Sequence, residues 1–301
     1  MQEVYHEGEL IVQNRTGESS IAAQNAKMVG NRFSNGIINF LITQQFAVLS
    51  STDGKGNVWV TFLTGEPGFV EELDEQRMVI RAGLITGDPL ASESKEQKQI
   101  GLLVIDTKRR IRLRVNGTAI MEMGQFIVTA HQIYGNCPKY IQKRSLCSEK
   151  DAYRMLKSEQ RSKELSQQHV EWITQADTFY IGSTNDRGEM DASHRGGNPG
   201  FVHVVNAETL MFPDYFGNSM FNTLGNIQSN PSSGLLFIDY DHGHSLQLTG
   251  LAEIIWDEAA IASFPGAGRV VRFEIRDVVQ LNNATELWWE DTEMSPFNPK
   301  G

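Results

Sequence analysis

The chain carries two copies of one pattern. "SSTDGKGNVWVTFLTGEPGFV" (Ser50 to Val70) and "GSTNDRGEMDASHRGGNPGFV" (Gly182 to Val202) match at eight positions. Ser51, Thr52, Gly56, Gly65, Pro67, Gly68, Phe69 and Val70 each recur 132 residues later. "GLLVID" (Gly101 to Asp106) returns as "GLLFID" (Gly234 to Asp239), now 133 residues on. "LRVNGTAIM" (Leu113 to Met121) and "LQLTGLAEI" (Leu246 to Ile254) keep that second spacing. A register that slips by one residue over so long a span is the mark of a tandem duplication.

Each copy reads as β. "FAVLSS" and "FYIGST" are short strands that end in Gly- and Asp-rich turns. "RIRLRV" alternates Ile111, Leu113 and Val115 with Arg110, Arg112 and Arg114, the period of a half-buried strand. Five or six such strands per copy imply a small closed or partly closed barrel. Between the copies, "EKDAYRMLKSEQRSKELSQQHVEWI" has neither Gly nor Pro and is rich in helix formers, which predicts a helical connector. A further helix is expected over "GNRFSNGIINFLITQQ". The predicted organisation is an N-terminal segment with a helix (1–45), a first barrel (46–124), a helical connector (125–176), a second barrel (177–280) and a tail (281–301). Two related barrels in one chain most simply form an internal pseudo-dimer, because homodimers use the same patch of both subunits.

Charge and hydropathy exclude several partners. A net charge of −10 argues against nucleic acid or an anionic membrane, and no apolar run approaches the roughly 20 residues that span a bilayer. "MQEVYHEGELIVQNRTGESS" lacks a cationic flank before an apolar core, so no secretory signal is expected. Cys137 and Cys147 build no disulfide framework, and cytoplasmic residence fits. Cations crowd 139–163, but Glu149, Asp151, Glu159 and Glu164 are interspersed, as on a solvated helix face.

The informative positions are those where the copies differ. Ser193, His194 and Arg195 stand at the lip of a Gly-Gly-Asn-Pro-Gly turn, where the first copy has Thr61, Phe62 and Leu63. Asp214, Tyr215 and Phe216 replace Ala82, Gly83 and Leu84, and Asn218, Ser219, Asn222 and Thr223 follow. A barrel core needs no such set of donors. An anionic ligand carrying hydroxyls does, since phosphate is held by converging Arg, amide, hydroxyl and backbone N–H groups.

"DASHRGGNPGFV", "FPDYFGNSMFNTLGNIQSNP", "GLLFID" and "LQLTGLAEI", with "YHEGEL" and "NCPKYIQKR", resemble the pyridoxamine 5'-phosphate oxidase-like, FMN-binding split-barrel family and its tandem-barrel members. The resemblance implies a mainly β fold of two tandem split barrels, with FMN (FAD is admitted) at their interface. It places Ser193, His194 and Arg195 along the flavin, Asp214 and Tyr215 beside the ring, and Asn218, Ser219, Asn222 and Thr223 around the phosphate. Gln247 would approach the pyrimidine edge, and the first barrel's site would be degenerate. The oxidase proper has an Arg-Lys pair where Asn222 and Thr223 align. The activity implied is an FMN-dependent oxidoreductase meeting a small-molecule substrate or electron donor or acceptor. The alternative is a non-catalytic flavin or haem carrier, and a homodimer of the whole chain stays open.

Plainer roles compete for several residues. Asn222 also suits the cap of a helix, and His194 a hydrogen-bonded structural role. His242 and His244, with Asp239 and Asp241, have metal-ligand chemistry but sit in a predicted hairpin turn, so no metal site is expected. Trp288 and Trp289 are read as packing residues.

Overall fold

The computed structural model describes residues 4–91, 96–147 and 157–300. Three helices come first: α1 (Glu7–Thr16), α2 (Ser19–Asn25) and α3 (Asn35–Leu41). The first barrel follows as β1 (Phe46–Thr52), β2 (Val58–Thr64), β3 (Val70–Glu72), β4 (Arg77–Ile80), β5 (Lys98–Asp106), β6 (Ile111–Glu122) and β7 (Gln125–Gly135). Two short strands, β8 (Lys143–Cys147) and β9 (Ser158–Ser162), and helix α4 (Gln167–Gln175) lead to the second barrel. Its strands are β10 (Thr178–Thr184), β11 (Met190–Gly196), β12 (His203–Asn206) and β13 (Thr209–Tyr215), then, after α5 (Asn222–Ser229), β14 (Ser232–Asp239) and β15 (His244–Ile255). Helix α6 (Glu258–Ala262), β16 (Ala267–Asn282) and β17 (Trp288–Glu293) complete the chain.

The first sheet runs β2-β1-β5-β6-β7-β4-β3 and the second β11-β10-β14-β15-β16-β13-β12, the same order strand for strand. Each sheet wraps its own core. Leu49, Met78, Leu102 and Val128 centre the first, and Phe179, Phe212, Phe237 and Phe273 the second. The fold is thus mainly β, built as two barrels.

A third core joins them, with Val48, Trp59, Val60 and Leu103 from one barrel meeting Tyr180, Ala192 and Leu236 from the other. Glycines set how closely the barrels approach. A Cβ on Gly101 of β5 would lie 2.4 Å from the Asp191 carbonyl carbon, and one on Gly234 of β14 2.6 Å from the Val58 carbonyl oxygen. These are reciprocal contacts between matched positions. On what would be the axis itself, Gly182 faces Ser50, its own counterpart, with a virtual Cβ 2.7 Å from the Ser50 Cβ. A residue that touches its own equivalent is the signature of a two-fold arrangement.

The connector departs from expectation. Gln125–Gly135 is a strand that closes the first barrel against β4 and β6. Ser158–Ser162 pairs antiparallel with β16, and among the described residues of the connector helix is confined to Gln167–Gln175. A sheet edge with free N–H and C=O groups offers more than helix propensity, a weak bias that tertiary pairing overrides. The part of the predicted connector at 148–156 lies outside the described residues. The N-terminal helix expected over 30–45 occupies Asn35–Leu41 only, capped by Ser34, whose hydroxyl accepts from the Ile37 amide. Among the described residues no helix is long and apolar enough to cross a membrane.

Candidate functional site

The lip of β11 and the strand β6 of the other barrel face each other across a cleft. The cleft is open to solvent. Ser193, His194, Arg195, Asp214, Tyr215, Asn218, Ser219, Asn222 and Thr223 all line it. The first barrel contributes Arg112 and Arg114 from β6, and Cys137, Lys139 and Tyr140 from the segment after β7.

Arg114 is the hub. Its Nη1 donates to both carboxylate oxygens of Asp191 at 3.2 Å and to Asn222 Oδ1 at 3.4 Å, while Nη2 donates to the Ser193 hydroxyl. Asp191 also accepts from Asn116 Nδ2 at 3.2 Å and from the Thr223 hydroxyl at 3.4 Å. Asp191 and Ser193, two residues apart on a strand, share a face, so a single guanidinium spans both. The Arg114–Asp191 ion pair is buried, with side chains 8% and 2% exposed. Burial works against the guanidinium's charge, but Asp191 and Tyr134 beside it hold Arg114 above its ordinary value.

Arg112, two positions earlier on β6, has weaker company. Its Nη1 lies 3.3 Å from His194 Nδ1, and its Nε has no partner. Burial and the neighbouring Arg114 push it down to about 9, so it stays charged at neutral pH. The same burial, with Arg112, Arg144 and Arg195 around the ring, pushes His194 well below the usual imidazole range. His194 is therefore neutral and stacks edge-on against Tyr180 at 5.7 Å. Arg195 pairs with Asp214, which Arg269 approaches from behind at 3.5 Å, and the Arg195 Nε has no partner.

The segment between β13 and α5 is built for close approach. Ser219 (φ 60°) and Phe221 (φ 63°) are left-handed without being glycine, as is Tyr140 (φ 66°) across the cleft. Such backbone costs of order 1–3 kcal/mol per residue and persists where packing over-determines it, often at ligand sites. Phe221 takes the N-cap position of α5 and makes no side-chain cap, so the first-turn amides keep their capacity for an anion. Tyr140 and Tyr215 pack ring against ring at 5.1 Å in the cleft lining.

Gln247 is not in this cleft. It is 1% exposed and donates from Nε2 to the Val60 carbonyl at 2.9 Å and to Asp88 Oδ2 at 3.2 Å. Each cleft takes its late strand from the opposite barrel. The repeat spacing of 133 makes Gln247 the counterpart of Arg114, serving the sister position. There Thr61 and Gln247 both donate to Asp88 in a buried cluster. The residues that reading the sequence missed are Arg112 and Arg114. The available signal was a strand face carrying three arginines in a chain with an acid excess.

His242 and His244 lie in or beside the β14–β15 turn, where His242 pairs with Asp239 at 2.8 Å. Among the described residues no group of three or more His, Cys, Asp or Glu side chains is gathered as a metal site.

Residues 165–282 match the pyridoxamine 5'-phosphate oxidase family. No curated protein sequence matches the chain. Among solved structures, HupZ of Group A Streptococcus is 15% identical and covers 37% of this chain and 90% of its own, at a TM-score of 0.32. A Clostridium acetobutylicum protein related to general stress protein 26 is 13% identical, covering 40% of this chain and 89% of its own, at 0.31. The FAD binding protein of Mycobacterium smegmatis is 18% identical, covering 40% of this chain and 98% of its own, at 0.29. Each covers about one barrel's worth of this chain.

Proposed function

We propose that the cleft binds a flavin mononucleotide and that the chain is a flavin-dependent oxidoreductase, a reading supported by the match of residues 165–282 to the pyridoxamine 5'-phosphate oxidase family. On this reading the tandem barrels descend from a two-fold dimer that kept one site. The single observation that carries it is the meeting of Arg114, Ser193 and the uncapped start of α5 at one end of a cleft with the orphaned Arg112 and Arg195 Nε atoms. That donor set fits a phosphate. Where the oxidase proper would place an Arg-Lys pair at Asn222 and Thr223, two guanidiniums arrive from the first barrel instead.

Bound flavin would supply hydride and one-electron chemistry. Arg114, Ser193 and Thr223 would hold the phosphate. Neutral His194 and Arg112 would border the ring, while Tyr140 and Tyr215 would exclude water. Asp214 is tied to Arg195 and Arg269, and His194 to Arg112, so neither the carboxylate nor the imidazole that lines the cleft stands free. That observation favours the second reading, a flavin carrier without turnover. Haem fits less well, because the cleft's only histidine among the described residues is His194, already engaged by Arg112.

Purified protein is expected to be yellow, or to quench the fluorescence of added FMN. A colourless protein that takes up neither FMN nor FAD removes the proposal. Reduction of the bound flavin by NADH or NADPH, followed by reoxidation, distinguishes enzyme from carrier.

A further inference from the structure

Helix α1 crosses α5 at a distance that glycine permits. A Cβ on Gly8 would lie 2.1 Å from the Gly225 carbonyl oxygen, and one on Gly225 2.3 Å from Cγ of Glu9. The crossing lays the Glu9 carboxyl, 3% exposed, against the first turn of α5. Glu9 Oε1 accepts from Asn222 Nδ2 at 2.7 Å, and Oε2 from the His6 backbone N–H at 2.8 Å. The other end of the same amide accepts from Arg114. Glu9 is therefore one side-chain amide away from the groups that face the anion. The same N-terminal segment holds the strained loop elsewhere: Gln13 Nε2 donates to the Met220 carbonyl at 3.0 Å, and Asn25 Nδ2 to that of Asn218 at 2.6 Å.

We propose that Glu9 is a proton-linked positioning residue of the anion site. Its neutral form holds Asn222 toward Arg114, and its ionised form opposes an anion at the start of α5. This rests on the reading of the cleft as a phosphate site. Charge around Glu9 leans acidic. Asp191 and Glu189 face it from β11 and the preceding turn, Tyr134 from β7 and Tyr5 from its own side. Arg187 and His131 line the cavity on its outer side. The nearest basic group, His6 Nε2 at 3.7 Å, is itself pushed down by burial, and Arg114 is committed to Asp191. Burial, with Asp191 and Glu189, raises Glu9 to about 8 in spite of its two hydrogen bonds. An anion bound at α5 raises it further, so binding near pH 8 takes up a proton. The phosphate's own second ionisation, near pH 6, is complete below that window.

The test is titration with FMN, and separately with inorganic phosphate, from about pH 7 to about pH 8.8. Calorimetry in two buffers of different ionisation enthalpy counts the protons. The unmodified chain should weaken about fourfold for FMN over that range, as a one-unit rise from about 8 requires, and take up protons near pH 8. Glu9→Gln should bind with a nearly flat profile and no uptake. Glu7→Gln, an exposed change on the same helix, should keep the full slope. Any slope from Arg112 would survive Glu9→Gln, so equal slopes in both proteins overturn the proposal. Proton uptake in the unmodified chain decides even if Glu9→Gln fails to fold, since no uptake near pH 8 overturns it. Binding of phosphate without FMN would remove the flavin reading and still test Glu9. A chain that binds neither ligand overturns both.

Discussion

The two sides of the pseudo-two-fold axis share one strand order and differ in what fills them. On one side Arg114 meets Asp191, Ser193 and Asn222 and leaves a cleft open beside them. On the other, Gln247 meets the Val60 carbonyl and Asp88, Leu90 packs in, and every member is buried. A guanidinium needs acceptors on several sides and holds the walls apart. An uncharged amide carries two donors, here spent on the Val60 carbonyl and Asp88, and lets the walls close. The lesson is that one late-strand residue, with its acceptors, marks the difference between an open cleft and a packed interface.

The largest effect should come from making the open side resemble the closed one. Arg114→Gln copies the sister residue and removes the charge shared by Ser193 and the start of α5. Because it also strands Asp191 in a buried place, a cost of about 3–5 kcal/mol, the cleaner protein is Arg114→Gln with Asp191→Asn. The double variant should stay folded and bind FMN at least about 100-fold more weakly, near 2.7 kcal/mol. Flavin affinity within threefold of the original would show that Arg114 does not face the phosphate.

Part of this asymmetry is legible in the sequence. The lip residues stand out because the copies can be laid over one another, and Ser193, His194, Arg195, Asp214 and Tyr215 do converge. The late strand misleads for a physical reason. Period-2 alternation says which residues share a face but not whether that face meets water or a neighbouring barrel. Arg112 and Arg114 therefore looked solvated. Gln247 was assigned to its own barrel's cleft because a two-fold axis exchanges late strands between barrels, a relation no linear comparison displays. The segment at Ser158–Ser162 misleads differently, since its helix propensity yields to the open edge of β16.

A middle-sized effect is expected from Arg195→Leu, which copies Leu63. The Arg195 side chain is 18% exposed and shares Asp214 with Arg269, so its removal leaves that carboxylate partnered. Flavin affinity should fall about tenfold, near 1.4 kcal/mol, with little change in melting temperature. A large loss of stability with unchanged affinity would assign Arg195 to holding β13 rather than to the ligand.

The smallest effect on binding, and the sharpest on the comparison, should come from the closed side. Burial raises Asp88 above the ordinary carboxylate range against the hydrogen bonds from Thr61, Leu90 and Gln247. The folded chain therefore holds a proton there that the unfolded chain has released. Stability from this group is present at acid pH and is lost as pH rises from the ordinary carboxylate value toward the folded one. Asp88→Asn keeps the shape and removes the titration, so the fall in melting temperature as pH rises above the ordinary carboxylate value should shrink. FMN affinity should stay within twofold at every pH, since Asp88 serves the sister position. Glu9→Gln should differ, flattening both the stability profile and the binding profile. If Asp88→Asn weakened FMN as Glu9→Gln alters it, the closed side would still be coupled to the ligand, and the division of the two sides into one site and one seam would be wrong.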